Sequence, residues 1–150
     1  MTQKVYLDAN ILIAHQIQNH PFYEKSLEVI DSFFQQKFVF VIASLTMDEF
    51  MYGTIQALKI IDKNKKFEYI IDELNKATRA VLSWENLELI DFQHTSLELL
   101  TVISLMKKYH LKPRDAFHLR IMQQQNINNF ITFDHDFDIL LKSGKINIIH

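Results

Sequence analysis

The segment VYLDANILI, residues 5–13, passes from extended to helical character at an acidic residue, and the reading of that junction decides the fold. Lys4–Leu7 reads as a short apolar strand with the carboxylate of Asp8 at its end. The runs Phe38–Ile42, Leu87–Ile90, Asn129–Thr132 and Ile146–Ile149 also read as strands, and the stretches between them are long enough for crossover helices. The expectation is an α/β protein: a three-layer α/β/α sandwich with a mostly parallel central sheet of about five strands. Ligands of open α/β sheets gather beyond the carboxyl ends of the strands, so Asp8 and Asp134, each following a strand, belong at one edge.

Two more acids reach that edge from helix starts. Glu49, in SLTMDEFMYG, follows the apolar run Phe38–Ala43, and Asp115, in LKPRDAFHL, follows Pro113, a residue favoured at the first helical position. Carboxylates gathered in one place repel one another unless a cation neutralises them. Four such groups therefore suggest a divalent-metal site for phosphate chemistry. Their ligand atoms are hard oxygens, which suit Mg²⁺ or Mn²⁺ better than zinc.

Each acid has a structural competitor. Asp8 is also suited to cap the helix that follows it, and Asn10 offers an amide oxygen to the same pocket. Thr46-x-x-Glu49 has the spacing of a capping box, and Asp48 beside it points about 100° away around the helix. Asp115 sits where the helix dipole favours a negative charge, and His118 one turn on reads as a surface or packed histidine rather than a ligand. Asp134, Asp136 and Asp138 resemble the opening of a calcium loop but lack its glycine and closing glutamate. Asp136 is an auxiliary metal candidate, and Asp138 reads as a cap or surface charge. Thr132 is placed to hydrogen-bond a carboxylate or hold an attacking water.

Composition narrows the setting. A chain of 150 residues with 48% hydrophobic content suits one globular domain, and two glycines with two prolines leave no flexible linker. Without cysteine there are no disulfides, thiolate zinc sites or thiol nucleophiles, which favours a reducing cytoplasm. No apolar run approaches the ~20 residues of a membrane span, and no secretory leader precedes the first strand. A net charge of −2 argues against a protein that coats nucleic acid, so any nucleic-acid contact must be local. Lys63, Lys65 and Lys66, or Lys107, Lys108, Lys112 and Arg114, form the candidate basic patches, with solvated helix ends as the plain alternative. Helical periodicity marks Tyr23, Leu27, Ile30 and Phe34, and a helical pair over Asp48–Ile61 and Phe67–Leu82 joined by DKNKK. The pair is expected to project from the sheet, with apolar residues available to a dimer or protein partner.

DANIL at the first strand end, ExxxG in Glu49–Gly53, PxDA in Pro113–Ala116 and TxDxDF in Thr132–Phe137 together resemble the PIN-domain family, more narrowly its VapC-type toxins. The resemblance spans roughly residues 4 to 149. It implies a single PIN-like nuclease domain over residues 1–150 and a magnesium- or manganese-dependent endoribonuclease. Asp8, Glu49, Asp115 and Asp134 would be the catalytic metal ligands, with Asp136 a further ligand and Asn10 and Thr132 in auxiliary roles. It also implies an RNA substrate, a homodimer and an antitoxin partner, and the helical middle looks longer than in a small toxin of that kind. Two rivals stand beside it. One is a PIN-like scaffold that binds RNA or protein without cutting. The other is a phosphatase of the haloacid-dehalogenase type, whose usual second aspartate is Asn10 here and whose downstream Thr/Ser and Lys set is not evident.

Overall fold

The computed structural model describes residues 2–150. Five strands, β1 (Lys4–Leu7), β2 (Val39–Ala43), β3 (Leu87–Ile90), β4 (Asn129–Ile131) and β5 (Asn147–Ile149), form one sheet in the order β3-β2-β1-β4-β5. Every neighbouring pair is parallel, so the sheet is wholly rather than mostly parallel. Six helices cover it: α1 (Ala9–Gln16), α2 (Tyr23–Gln35), α3 (Ser44–Ile61), α4 (Phe67–Leu82), α5 (Ser96–Tyr109) and α6 (Pro113–Gln124). A 3₁₀ segment, His135–Ser143, links β4 to β5.

Alternation along the strands divides the core in two. Tyr6, Val41 and Phe130 are in register across β2, β1 and β4 and face a cluster that includes Leu105, Leu119 and Met122 of α5 and α6. Val5, Leu7, Phe40, Ile42 and Ile131 have the opposite parity and pack with Ile11 and Leu12 of α1, Ile30 of α2, Phe50 of α3 and Val81 of α4. Asp8 shares the parity of Tyr6, which directs it toward the α6 side at the carboxyl edge of the sheet.

The helical middle begins earlier than its sequence suggests. Helix α3 starts at Ser44 rather than Asp48, because Thr46 occupies its third position and its hydroxyl accepts a bond from the backbone N–H of Ala43. The expected capping box is therefore displaced: Thr46 does not precede the helix, and Glu49 sits in its second turn, free of any capping duty. Gly53 packs against the δ-methyl of Ile13, so the missing side chain lets α3 lie close on α1 and keeps Glu49 beside Asp8. Only part of each apolar stripe is buried. Ile30, Ile70 and Val81 lie inside, while Phe34, Tyr52, Ile60 and Phe67 remain exposed. No described helix is long and apolar enough to cross a membrane.

Candidate metal centre

Asp8, Glu49, Asp115 and Asp134, drawn from four separate elements, line one cavity of about 270 Å³ at the carboxyl edge of the sheet, together with Asn10 and Arg114. Parallel strands end there and helices α1, α3 and α6 begin there, so positions far apart in sequence meet. Among the described residues no lysine or arginine nitrogen pairs with any of the four carboxylates. The nearby cations are engaged elsewhere, Lys112 with Asp136 at 2.7 Å and Arg114 with Asp48 at 3.8 Å.

Asp8 is 6% exposed and sits at the cap position of α1, yet its side chain makes no cap bond. Instead Oδ2 accepts the Thr132 hydroxyl at 2.6 Å and the Asn10 amide at 3.1 Å. Thr132 is fully buried, and its oxygen also accepts from Asn10 Nδ2 and from the Asp134 backbone N–H, so the hydroxyl uses its whole bonding capacity. The Asn10 amide oxygen accepts from the Phe133 backbone N–H at 3.2 Å. It therefore braces the β4 loop, while Asn10 itself lines the cavity. Burial raises the Asp8 carboxyl above its ordinary range, opposed by His118 and by the Thr132 bond. Burial and the charge of Asp134 likewise raise Asp115.

Glu49 is held by His118, which the sequence reading took for a surface or packed histidine and which is packed. His118 is 1% exposed, with Nε2 2.8 Å from Glu49 Oε1 and Nδ1 2.8 Å from the Tyr6 hydroxyl. Burial raises the Tyr6 phenol, so it keeps its proton, and Thr46 lies 3.1 Å from the same oxygen. The chain is satisfied when Tyr6 donates to Nδ1 and Nε2–H donates to Glu49. Ligand atoms of Asp8, Glu49 and His118 lie within 4.8 Å of one another. Two signals were present in the sequence: His118 follows Asp115 by one helical turn, and Tyr6 precedes Asp8 by one strand period.

Asp134 caps the 3₁₀ segment, accepting from the Asp136 backbone N–H at 2.8 Å. Asp136 does not line the cavity; its carboxylate pairs with Lys112, so it stands outside the cluster that the sequence reading included it in. Asp138 joins His135 at 2.9 Å and His150 at 2.6 Å, away from the four acids. Helix α6 starts at Pro113 and puts Asp115 in its first turn, as its sequence implies. Of the basic patches, Arg114 alone reaches the cavity.

The donor set fits a hard divalent cation. Four carboxylates converge, burial disfavours the bare charges of Asp8 and Asp115, and among the described residues no lysine or arginine forms an ion pair with any of the four. A thiolate or multi-imidazole set of the kind zinc selects is not what lines this cavity.

Comparison with known proteins agrees with this architecture. The family described as "PIN domain" matches residues 5–140. VapC20 of Mycobacterium tuberculosis, a sarcin-ricin loop cleaving toxin, superposes with a TM-score of 0.64 at 14% identity, covering 95% of this chain and 96% of the other. VapBC2 of Rickettsia felis, solved with a DNA fragment from its promoter, gives 0.61 at 18% identity with 98% of each chain covered. FitAcB of Neisseria gonorrhoeae gives 0.62 at 14% identity, covering 97% and 96%. Each of these alignments spans nearly the whole of both chains. No curated protein matches the sequence.

Proposed function

Because the chain belongs to the PIN domain family, we propose that it is a divalent-metal-dependent endoribonuclease acting as the toxin of a type II toxin–antitoxin pair. The observation that carries this reading is the convergence of Asp8, Glu49, Asp115 and Asp134 on one cavity, with no lysine or arginine paired to them among the described residues. Those four side chains would hold Mg²⁺ or Mn²⁺. When bound, such an ion supplies charge stabilisation for the phosphoryl oxygens and makes water acidic enough to attack at neutral pH.

The protein's own groups perform the rest. Thr132 and Asn10 fix the rotamer of Asp8, and His118 orients Glu49, so the carboxylates are set before RNA arrives. Arg114 at the cavity wall is the cation available to meet a backbone phosphate. Water attacks phosphorus in line and the ribose 3′-oxygen leaves, giving a 3′-hydroxyl and a 5′-phosphate.

The named activities and assemblies of the structural neighbours support an antitoxin partner. Exposed Tyr52, Ile60 and Phe67 on α3 and α4 give apolar surface for it or for a homodimer, and a cytoplasmic setting suits a chain without cysteine. The test is cleavage of single-stranded RNA by the purified protein with Mn²⁺ and with chelator, beside Asp115→Asn. Cleavage confined to the wild-type protein with metal, yielding 5′-phosphate ends, is expected. Products ending in 2′,3′-cyclic phosphate, or equal turnover by the variant, overturn the proposal.

A further inference from the structure

We infer that a second cavity, across α3 from the four carboxylates, is a guanine-binding subsite that selects the nucleotide beside the cut; the inference rests on the ribonuclease reading above. The cavity measures about 420 Å³, the scale of a small-ligand site, and its walls include Ser44, Asp48, Asp91, Phe92, His94 and Phe117. Phe92 meets both His94 and Phe117 edge to face with ring centroids 5.1 Å apart. Phe92 is buried and backs the wall, so the rings of His94 and Phe117 are the ones open to the flat face of an unstacked base, which is how single-stranded RNA is read.

The two cavities draw different residues from the same two helices. On α3, Asp48 lines this one and Glu49 the other; on α6, Phe117 lines this one and Arg114 and Asp115 the other. The Arg114–Asp48 pair, at 3.8 Å, joins them. A strand whose phosphate reaches the carboxylates thus has a neighbouring base beside the aromatic walls.

Charge specifies which base. Asp91 Oδ1 accepts the Ser44 hydroxyl at 2.7 Å and the Phe92 backbone N–H at 2.8 Å, leaving Oδ2 with no partner among the described residues. The Ser44 and Phe92 bonds hold the Asp91 carboxyl below its ordinary range, so it is an acceptor at neutral pH. Asp48, paired loosely with Arg114 at 3.8 Å, adds a second carboxylate, and no lysine or arginine is among the residues that line the walls. An aromatic slot rich in acceptors repels phosphate and disfavours uracil, whose pairing edge flanks one N–H with two carbonyl oxygens. Guanine alone presents two donors side by side, N1–H and the N2 amino group, whereas adenine and cytosine each set one amino group beside a ring-nitrogen acceptor.

The test is to map every cut in a randomised single-stranded RNA treated with Mn²⁺ and the wild-type protein, Asp91→Asn or Phe117→Leu, with melting curves confirming that each is folded. Cuts beside guanine should outnumber those beside uracil about 10-fold in the wild type, and Asp91→Asn should reduce that ratio about 5-fold or more. Phe117→Leu, which keeps apolar bulk but removes the ring, should lower the same ratio. Metal-dependent cleavage without guanine preference, or a preference unchanged in both folded variants, overturns the inference and leaves the ribonuclease reading intact. An unchanged cleavage pattern with an altered mass in solution overturns it too, and assigns the cavity to a protein contact. Absence of any metal-dependent RNA cleavage by the wild type overturns both.

Discussion

Thr132 donates its hydroxyl proton to Asp8 Oδ2 across 2.6 Å, tying together the ends of two adjacent parallel strands that lie 124 residues apart in sequence. A bond to a buried charged acceptor is worth about 1.5–3 kcal/mol, more than a neutral one. Thr132→Val keeps the shape and removes the bond. It should lower stability by about 2 kcal/mol in urea unfolding and weaken Mn²⁺ binding about 10-fold by calorimetry. Unchanged metal affinity would show that Asp8 needs no such brace.

Asp8 should cost the metal-free protein stability at neutral pH. Its carboxyl is raised by burial, so its favourable contribution is present below the ordinary aspartate range and is lost as pH rises through the native value. Asp8→Asn removes that loss, and the asparagine oxygen still accepts from Thr132. We expect the variant to be inactive yet to melt about 2–4 °C above the metal-free wild type at pH 7.5, with the gap closing toward pH 4. Comparing the two proteins cancels the opposing contributions of His15 and His20, which burial lowers. Saturating Mn²⁺ should raise the wild type alone. A variant less stable than the wild type at pH 7.5 would contradict this account.

His118 should matter for the fold and the metal together. His118→Ala leaves the Tyr6 hydroxyl without its ring partner and Glu49 without its orienting donor. A loss of about 2–3 kcal/mol in stability and a fall of about 10-fold in Mn²⁺ affinity are expected. His118→Gln, which retains a donor and an acceptor, should recover part of both. If glutamine binds metal no better than alanine, orientation of Glu49 is not the role of this side chain.

Arg114 should separate binding from stability. Its pair with Asp48 is long and exposed, 3.8 Å with both side chains more than half accessible, so Arg114→Ala should shift stability by less than about 0.5 kcal/mol. RNA binding should weaken about 10-fold at low salt, and the dependence of log affinity on log salt should flatten by roughly 0.7, the share of one phosphate contact on a single strand. An unaltered salt slope would remove Arg114 from the RNA path.

How much was legible in the sequence follows from the range of each interaction. Lys4–Leu7 and Leu87–Ile90 are strands at the expected bounds, because local apolar patterning and flanking polar residues suffice to mark them. Pro113 marks the start of α6 for an equally local reason. Glu49 was harder, since Thr46-x-x-Glu49 fits a capping box as well as it fits a helix already under way, and only the Ala43–Thr46 bond resolves the two. The Tyr6–His118–Glu49 chain depends on a strand, a helix start and a second helix meeting through contacts of 112 and 69 residues' separation, which no local pattern encodes. The diversion of Asp136 to Lys112, and of the Asn10 oxygen to Phe133, are likewise products of tertiary geometry.

The sheet order β3-β2-β1-β4-β5 places the first strand between partners that the ribosome delivers at very different times. Residues up to Ile90 can pair β1, β2 and β3 while the rest of the polypeptide is still unmade, but Asp115 and Asp134 arrive only with its last third. The four carboxylates therefore come together only once β4 has emerged and docked on the free edge of β1. The cavity is thus a product of the last elements to be made, and a chain cut short before β4 lacks one wall of it.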